Sequence, residues 1–158
     1  MASIQLLQIR MNSPNPALYT DPFTFAFTVN VIDSLSEDLE VLFVWVGSAE
    51  NPANDQKLEE LIYGPLQLGT NVFVAEVPPP RYDIIPECDI LGETLLLVSL
   101  RYCDDEFFRI SYWVNVSYIS PVDNSDVPLS ICIDRIGRTL SEPSMLVTQI
   151  NWHGNLIE

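Results

Sequence analysis

Phe23, Phe25, Phe27, Val29 and Val31 alternate with Thr24, Ala26, Thr28 and Asn30. A period of two puts every large apolar side chain of such a run on one face of a strand, which no helix can do. Phe108, Ile110, Tyr112, Val114, Val116 and Tyr118 repeat the pattern over a longer stretch. Further strands are expected over residues 3–10, 41–46, 61–64, 71–77, 93–101 and 145–152, where β-branched and aromatic side chains concentrate. Turn chemistry separates them: residues 12–22, Gly64-Pro65, Pro78-Pro79-Pro80 and residues 120–128. Short helical turns are expected only around residues 55–60, 83–89 and 131–138. Many short strands and no long amphipathic helix predict an all-β protein, an antiparallel β-sandwich. No repeat or linker interrupts the pattern, so residues 1–158 are read as a single domain.

With 158 residues, 47% of them hydrophobic, the chain can bury a sizeable core and is not a disordered polymer. Seven Lys and Arg stand against twenty-two Asp and Glu, a net charge of −15. Such a surface repels phosphate backbones, and Lys57 and the six scattered Arg form no basic patch, so no direct nucleic-acid binding is expected. The charge favours a cationic partner instead. Residues 1–10 lack the marks of a signal peptide, and no apolar run approaches the roughly 20 residues of a membrane helix. Cys88, Cys103 and Cys132 are odd in number and widely spaced, which fits a reducing compartment.

Catalytic signatures are missing. His153 is the one histidine, and no Ser or Cys lies in a nucleophile motif. The six Gly make no phosphate cradle. Asp104-Asp105-Glu106 reads as a solvated hairpin turn, not a metal cluster, and Asp123 and Asp126 lack the spacing of a calcium loop. No enzyme activity, cofactor or metal is expected. The informative features are surfaces. Eight acids against one Lys lie between Asp33 and Glu60, either a solubilising face or a dock for a basic partner. In residues 93–101, Leu96, Val98 and Leu100 share one face, while Leu95 and Leu97 lie on the other with Glu93, Ser99 and Arg101. Either both faces are covered, or Leu95 and Leu97 form an exposed stripe ringed by charge, as at binding hot spots. Whether they share a face with Arg109 and Trp113 depends on the turn, since a slip of one residue swaps the faces.

Leu35-Ser36-Glu37-Asp38-Leu39-Glu40, Val46-Gly47-Ser48-Ala49-Glu50, Asp55-Gln56, Gly64-Pro65, Ile85-Pro86, Glu106-Phe107, Val114-Asn115 and Ile150-Asn151-Trp152 fall in order along the chain. Together they resemble the anti-silencing function histone chaperone family over almost the whole length. The resemblance implies an elongated immunoglobulin-like β-sandwich in the nucleus, with a cytoplasmic pool. Such a protein binds the dimer of histones three and four and exchanges it with histone-regulator and chromatin-assembly-factor complexes. A monomer is expected.

Position by position, the resemblance implies a histone-three face with Leu95 and Leu97 as apolar contacts. Glu50, Asp55 and Asp89 would be its acids, with Arg109 and Trp113 beside them. It implies that Tyr112, Pro143 and Met145 line a pocket beside Leu97 for an aromatic side chain of the histone-four tail, which pairs as a strand. Ser144 stands where the family usually has Arg. On the opposite edge, Val29, Glu37, Asp38, Leu61, Ile62 and Tyr63 match the groove for basic peptides of the assembly factors, on a different face from the histone site. The competing reading is a β-sandwich adaptor that takes a non-histone basic peptide by strand addition.

Overall fold

A computed structural model describes residues 3–47, 55–119 and 132–152. Strands account for 60% of the structure, and no helix among the described residues reaches seven residues. In chain order the strands are β1 (Ile4–Met11), β2 (Ala17–Leu18), β3 (Phe23–Val31), β4 (Leu39–Trp45), β5 (Gln56–Tyr63), β6 (Gly69–Val77), β7 (Gly92–Tyr102), β8 (Asp105–Tyr118), β9 (Ile136–Leu140) and β10 (Ser144–Val147). A single helical turn, α1 (Glu87–Ile90), precedes β7. One sheet has the order β1-β3-β6; the larger runs β2-β9-β8-β7-β4-β5, with β10 also on β8, and all pairing is antiparallel.

Alternation carries the packing. Strand β3 is buried at every odd position from Phe23 to Val31, against Leu39, Val41, Phe43 and Trp45 of β4 and Leu96, Val98 and Leu100 of β7 in one core. Phe25 joins the sheets: its ring lies 5.6 Å from Phe43 and 5.8 Å from Tyr112. These contacts leave the second face of β7 outside the sandwich.

Three expectations change. Residues 56–60, read as part of a helical turn, are the first half of β5, paired with β4 through a bulge between Phe43 and Val44. Gln, Lys, Leu and Glu favour helix in isolation, but the partner strand overrides that preference, and charge is common on a sheet edge. Residues 136–138, read as the end of another turn, begin β9, while the strand expected over 145–152 stops at Val147.

Arg138 hid β9. It is buried, its guanidinium stacks 3.7 Å from the centre of the Phe23 ring, and it donates to the carbonyls of Tyr19, Asp21 and Pro22. Burial pulls its pKa down to about 10. Arg138→Met keeps most of the volume and strands three carbonyls, so unfolding should become easier by about 3 kcal/mol in a denaturant melt. An unshifted midpoint would show that these bonds add nothing to stability.

Candidate functional site

The hairpin between β7 and β8 fixes the outer face of the large sheet. Its turn is two residues, Cys103 and Asp104, both at positive φ (51° and 66°), the twist that tight hairpins need. Tyr102 pairs with Asp105, and beyond a bulge the register sets Leu95 opposite Trp113, Leu97 opposite Ser111 and Ser99 opposite Arg109. Directly opposed residues share a face. Leu95, Leu97, Arg109 and Trp113 therefore lie together, on the side away from the core. On β4, Val44 pairs with Leu97 and Leu42 with Ser99; on β10, Leu146 pairs with Arg109. The result is an apolar strip in which Leu95 and Leu97 are half-buried and Trp113 is 52% exposed.

Charge sits around it. Arg109 grips Glu106, Nε to Oε1 at 3.0 Å and Nη2 to Oε2 at 3.3 Å. The same carboxylate accepts from the Ser99 hydroxyl, which in turn accepts from Arg101 Nε at 3.1 Å. Asp55 immediately precedes β5 and Asp89 lies in α1. Gln56, next to Asp55, pairs with Trp45, and Val46 donates to the Leu95 carbonyl at 2.9 Å, which places Asp55 at the Leu95 end of the sheet. Both amide contacts of the Gln56 side chain go to the Arg81 backbone, at 2.8 Å each, tying the segment before α1 to β5. Glu50 falls outside the described residues.

Tyr112, Pro143 and Met145 do not form a pocket on the Leu97 face. Tyr112 pairs with Leu96, so its ring points into the sandwich, where burial pushes its pKa up to about 12, with Glu142 adding to the rise. Met145 pairs with Ile110 and belongs to that same opposite row, although it is exposed; Pro143 is half-buried between β9 and β10. Ser144, opposite Ser111, is the β10 residue in the Leu97 row. A cavity of about 210 Å³ instead opens where β1 meets the end of β10, lined by Ile4, Leu6, Phe107, Phe108, Val147 and Trp152. Sequence reasoning missed it because its walls come from both ends of the chain.

At the far end of β7 a second depression, about 340 Å³, is lined by Glu37, Asp38, Glu40, Ile62, Cys103 and Asp104. Glu37 N–H donates to the Tyr102 hydroxyl at 3.1 Å. Asp38 packs its side chain over Gly64, where an added Cβ would lie 1.8 Å from Asp38 Oδ1 and would push that carboxylate aside. Ile62 is 66% exposed beside Glu40, whose pKa is raised by burial and then by Asp104 and Glu60, against an opposing pull from Arg101. Leu61 and Tyr63 turn the other way, toward the gap between the sheets; Tyr63 stacks on Phe73 at 4.0 Å and donates to the Val74 carbonyl at 3.2 Å. Val29 is not part of this surface: it is fully buried in β3.

Glu40, Asp104 and Cys103 had no place in the sequence-derived groove. The fold brings them there by pairing Glu40 with Arg101, next to the turn. That pairing also puts Ile62 on the same outer face as Arg109. What separates the two surfaces is therefore distance along the strands, not a change of face. Eight residues from Leu95 to Cys103 span about 26 Å at strand rise. Among the described residues no group of His, Cys, Asp and Glu side chains converges as a metal site.

Comparison with known proteins follows the same lines. A family described as "ASF1 like histone chaperone" matches residues 1–153. The chain is 36% identical over 154 residues to the histone chaperone ASF1 of Coccidioides immitis, covering 96% of this chain and 56% of that protein. It is 34% identical over 155 residues to the histone chaperone asf1 of Dictyostelium discoideum, 97% of this chain and 100% of that protein. For ASF1 of Saccharomyces cerevisiae the figures are 34% over 151 residues, 96% and 54%. The chain thus spans a little over half of the two fungal relatives and all of the Dictyostelium one.

Proposed function

Because the chain belongs to the ASF1-like histone chaperone family, whose members are not enzymes, we propose that it is a chaperone for the dimer of histones three and four. The observation that carries this reading is the Leu95–Trp113 pair: large apolar side chains left on an outer sheet face by an otherwise strict alternation. Leu95, Leu97 and Trp113 cover the apolar histone-three surface that would otherwise form the tetramer, and Arg109 flanks them. Glu50, Asp55 and Asp89 offset histone Lys and Arg. An interface of roughly 1,600 Å² is enough for tight but reversible binding.

The tail of histone four adds as a strand to β10. Its residues are all exposed, and β8 is the one strand paired with it among the described residues, which leaves an edge of the kind partner strands use. An apolar side chain of that tail enters the cavity between Leu6, Val147 and Trp152. Tyr112, Pro143 and Met145 border the strand without forming its pocket. At the other end, Glu37, Asp38 and Ile62, with Leu61 and Tyr63 behind them, take a basic peptide from histone-regulator or chromatin-assembly complexes. The cargo then passes between factors during nucleosome assembly and disassembly. On this reading the protein acts as a single core domain and a monomer, in the nucleus with a cytoplasmic pool.

Size-exclusion chromatography with light scattering tests the reading. The protein mixed with tetramers of histones three and four should yield a complex holding one copy of each chain. Tetramers that elute unchanged would overturn the proposal.

A further inference from the structure

Arg109 is not free on the outer face, and the group that holds it is itself held. Glu106 has a side chain only 20% exposed, against 45% for Arg109, and both of its oxygens engage the guanidinium. Behind it Ser99, 5% exposed, donates to Oε2 and accepts from Arg101 Nε. The strand register makes this arrangement local, since Ser99 is opposite Arg109 and Arg101 is opposite Glu106 across the bulge. A two-point grip through Nε and Nη2 fixes the guanidinium plane and leaves its Nη1 edge unused by Glu106.

We propose that Glu106 is a positioning residue for the histone interface. It holds Arg109 in its bound orientation before the partner arrives. This rests on the reading of Arg109 as a histone contact. A free Arg surrenders several rotamers on docking, and one already clamped surrenders fewer, so the clamp raises affinity without touching the partner. Ser99 extends the chain by keeping the carboxylate from swinging away. Arg101 acts one step further out, and Glu40 opposite it balances its charge on the side away from Glu106.

A double-mutant cycle distinguishes positioning from a merely structural role. Affinity for the dimer of histones three and four is measured for the wild type, Glu106→Gln, Arg109→Ala and the double variant, with thermal melts confirming that each is folded. Glu106→Gln should weaken binding roughly fivefold when Arg109 is present and less than about twofold when it is Ala, a coupling typical of residues in contact. Ser99→Ala, which spares both charged groups, should weaken binding in the same direction and also only with Arg109 present. An equal loss in both backgrounds, or tighter binding by Glu106→Gln, would overturn the proposal. Arg109→Ala binding like the wild type would overturn it as well. In that case a Leu95 variant still reports separately on whether the face binds histones at all.

Discussion

Leu95→Arg is expected to abolish binding to the dimer of histones three and four while leaving the melting temperature within a few degrees of the wild type. Leu95 lies on the outer face opposite Trp113, so an Arg there can lift its guanidinium into water and needs no buried partner. At the interface the same change removes an apolar contact and sets positive charge against a basic histone, and both effects oppose binding. The neighbouring position supplies the contrast. Leu96 is fully buried, pairs with Trp45 and Tyr112, and belongs to the core. Leu96→Arg strands a charge between the sheets, costing several kcal/mol, and a domain with a margin of about 5–15 kcal/mol would unfold or nearly so. A pull-down with thermal melting on the two variants decides the matter. Retained histone binding in folded Leu95→Arg would remove this face from the function, and unfolding of Leu95→Arg would mean the residue belongs to the core.

That contrast marks how far the residues alone could be read. In β3 each odd position is apolar and each even one is small or polar, so the alternation names the buried face without help from any partner. Strand β7 carries Leu on both faces, and composition cannot say which is covered. The choice of face-mates rests on a turn of Cys103 and Asp104, both at positive φ, where Gly or Asn would have announced a tight hairpin. Strand β5 was obscured by helix-favouring residues on a sheet edge, and β9 by Gly137 and an arginine at what is in fact a core position. Val29 shows the other limit. Its place in an alternating run predicts burial, yet the resemblance put it in a surface groove, and the packing decides for the core. Pockets assembled from distant segments, such as Ile4 with Trp152, leave no trace in local pattern.

Reversing both Glu37 and Asp38 to Arg should eliminate binding of a basic assembly-factor peptide and leave histone affinity within about twofold of the wild type. The depression that holds them also contains Glu40 and Asp104, so a peptide Lys or Arg there meets several carboxylates at once. Two arginines replace that attraction with repulsion at the peptide's entry point, and like charges placed across an interface cost several kcal/mol. Folding should survive, because both side chains are exposed; the Glu37 contact to Tyr102 comes from its backbone N–H and is untouched. Asp38 does lie against Gly64, but a longer side chain can turn outward from the surface. The histone face is spared by distance. Along β7 Leu95 is about 26 Å away, and Ser99, opposite Arg109, is about 13 Å away; both lie beyond the roughly 10 Å over which 0.1 M salt screens exposed charges. Titration calorimetry with a basic peptide and with the histone dimer reads the two effects separately. Loss of both ligands in a folded variant would show that the two surfaces are one site, and unchanged peptide binding would move the peptide elsewhere on the sandwich.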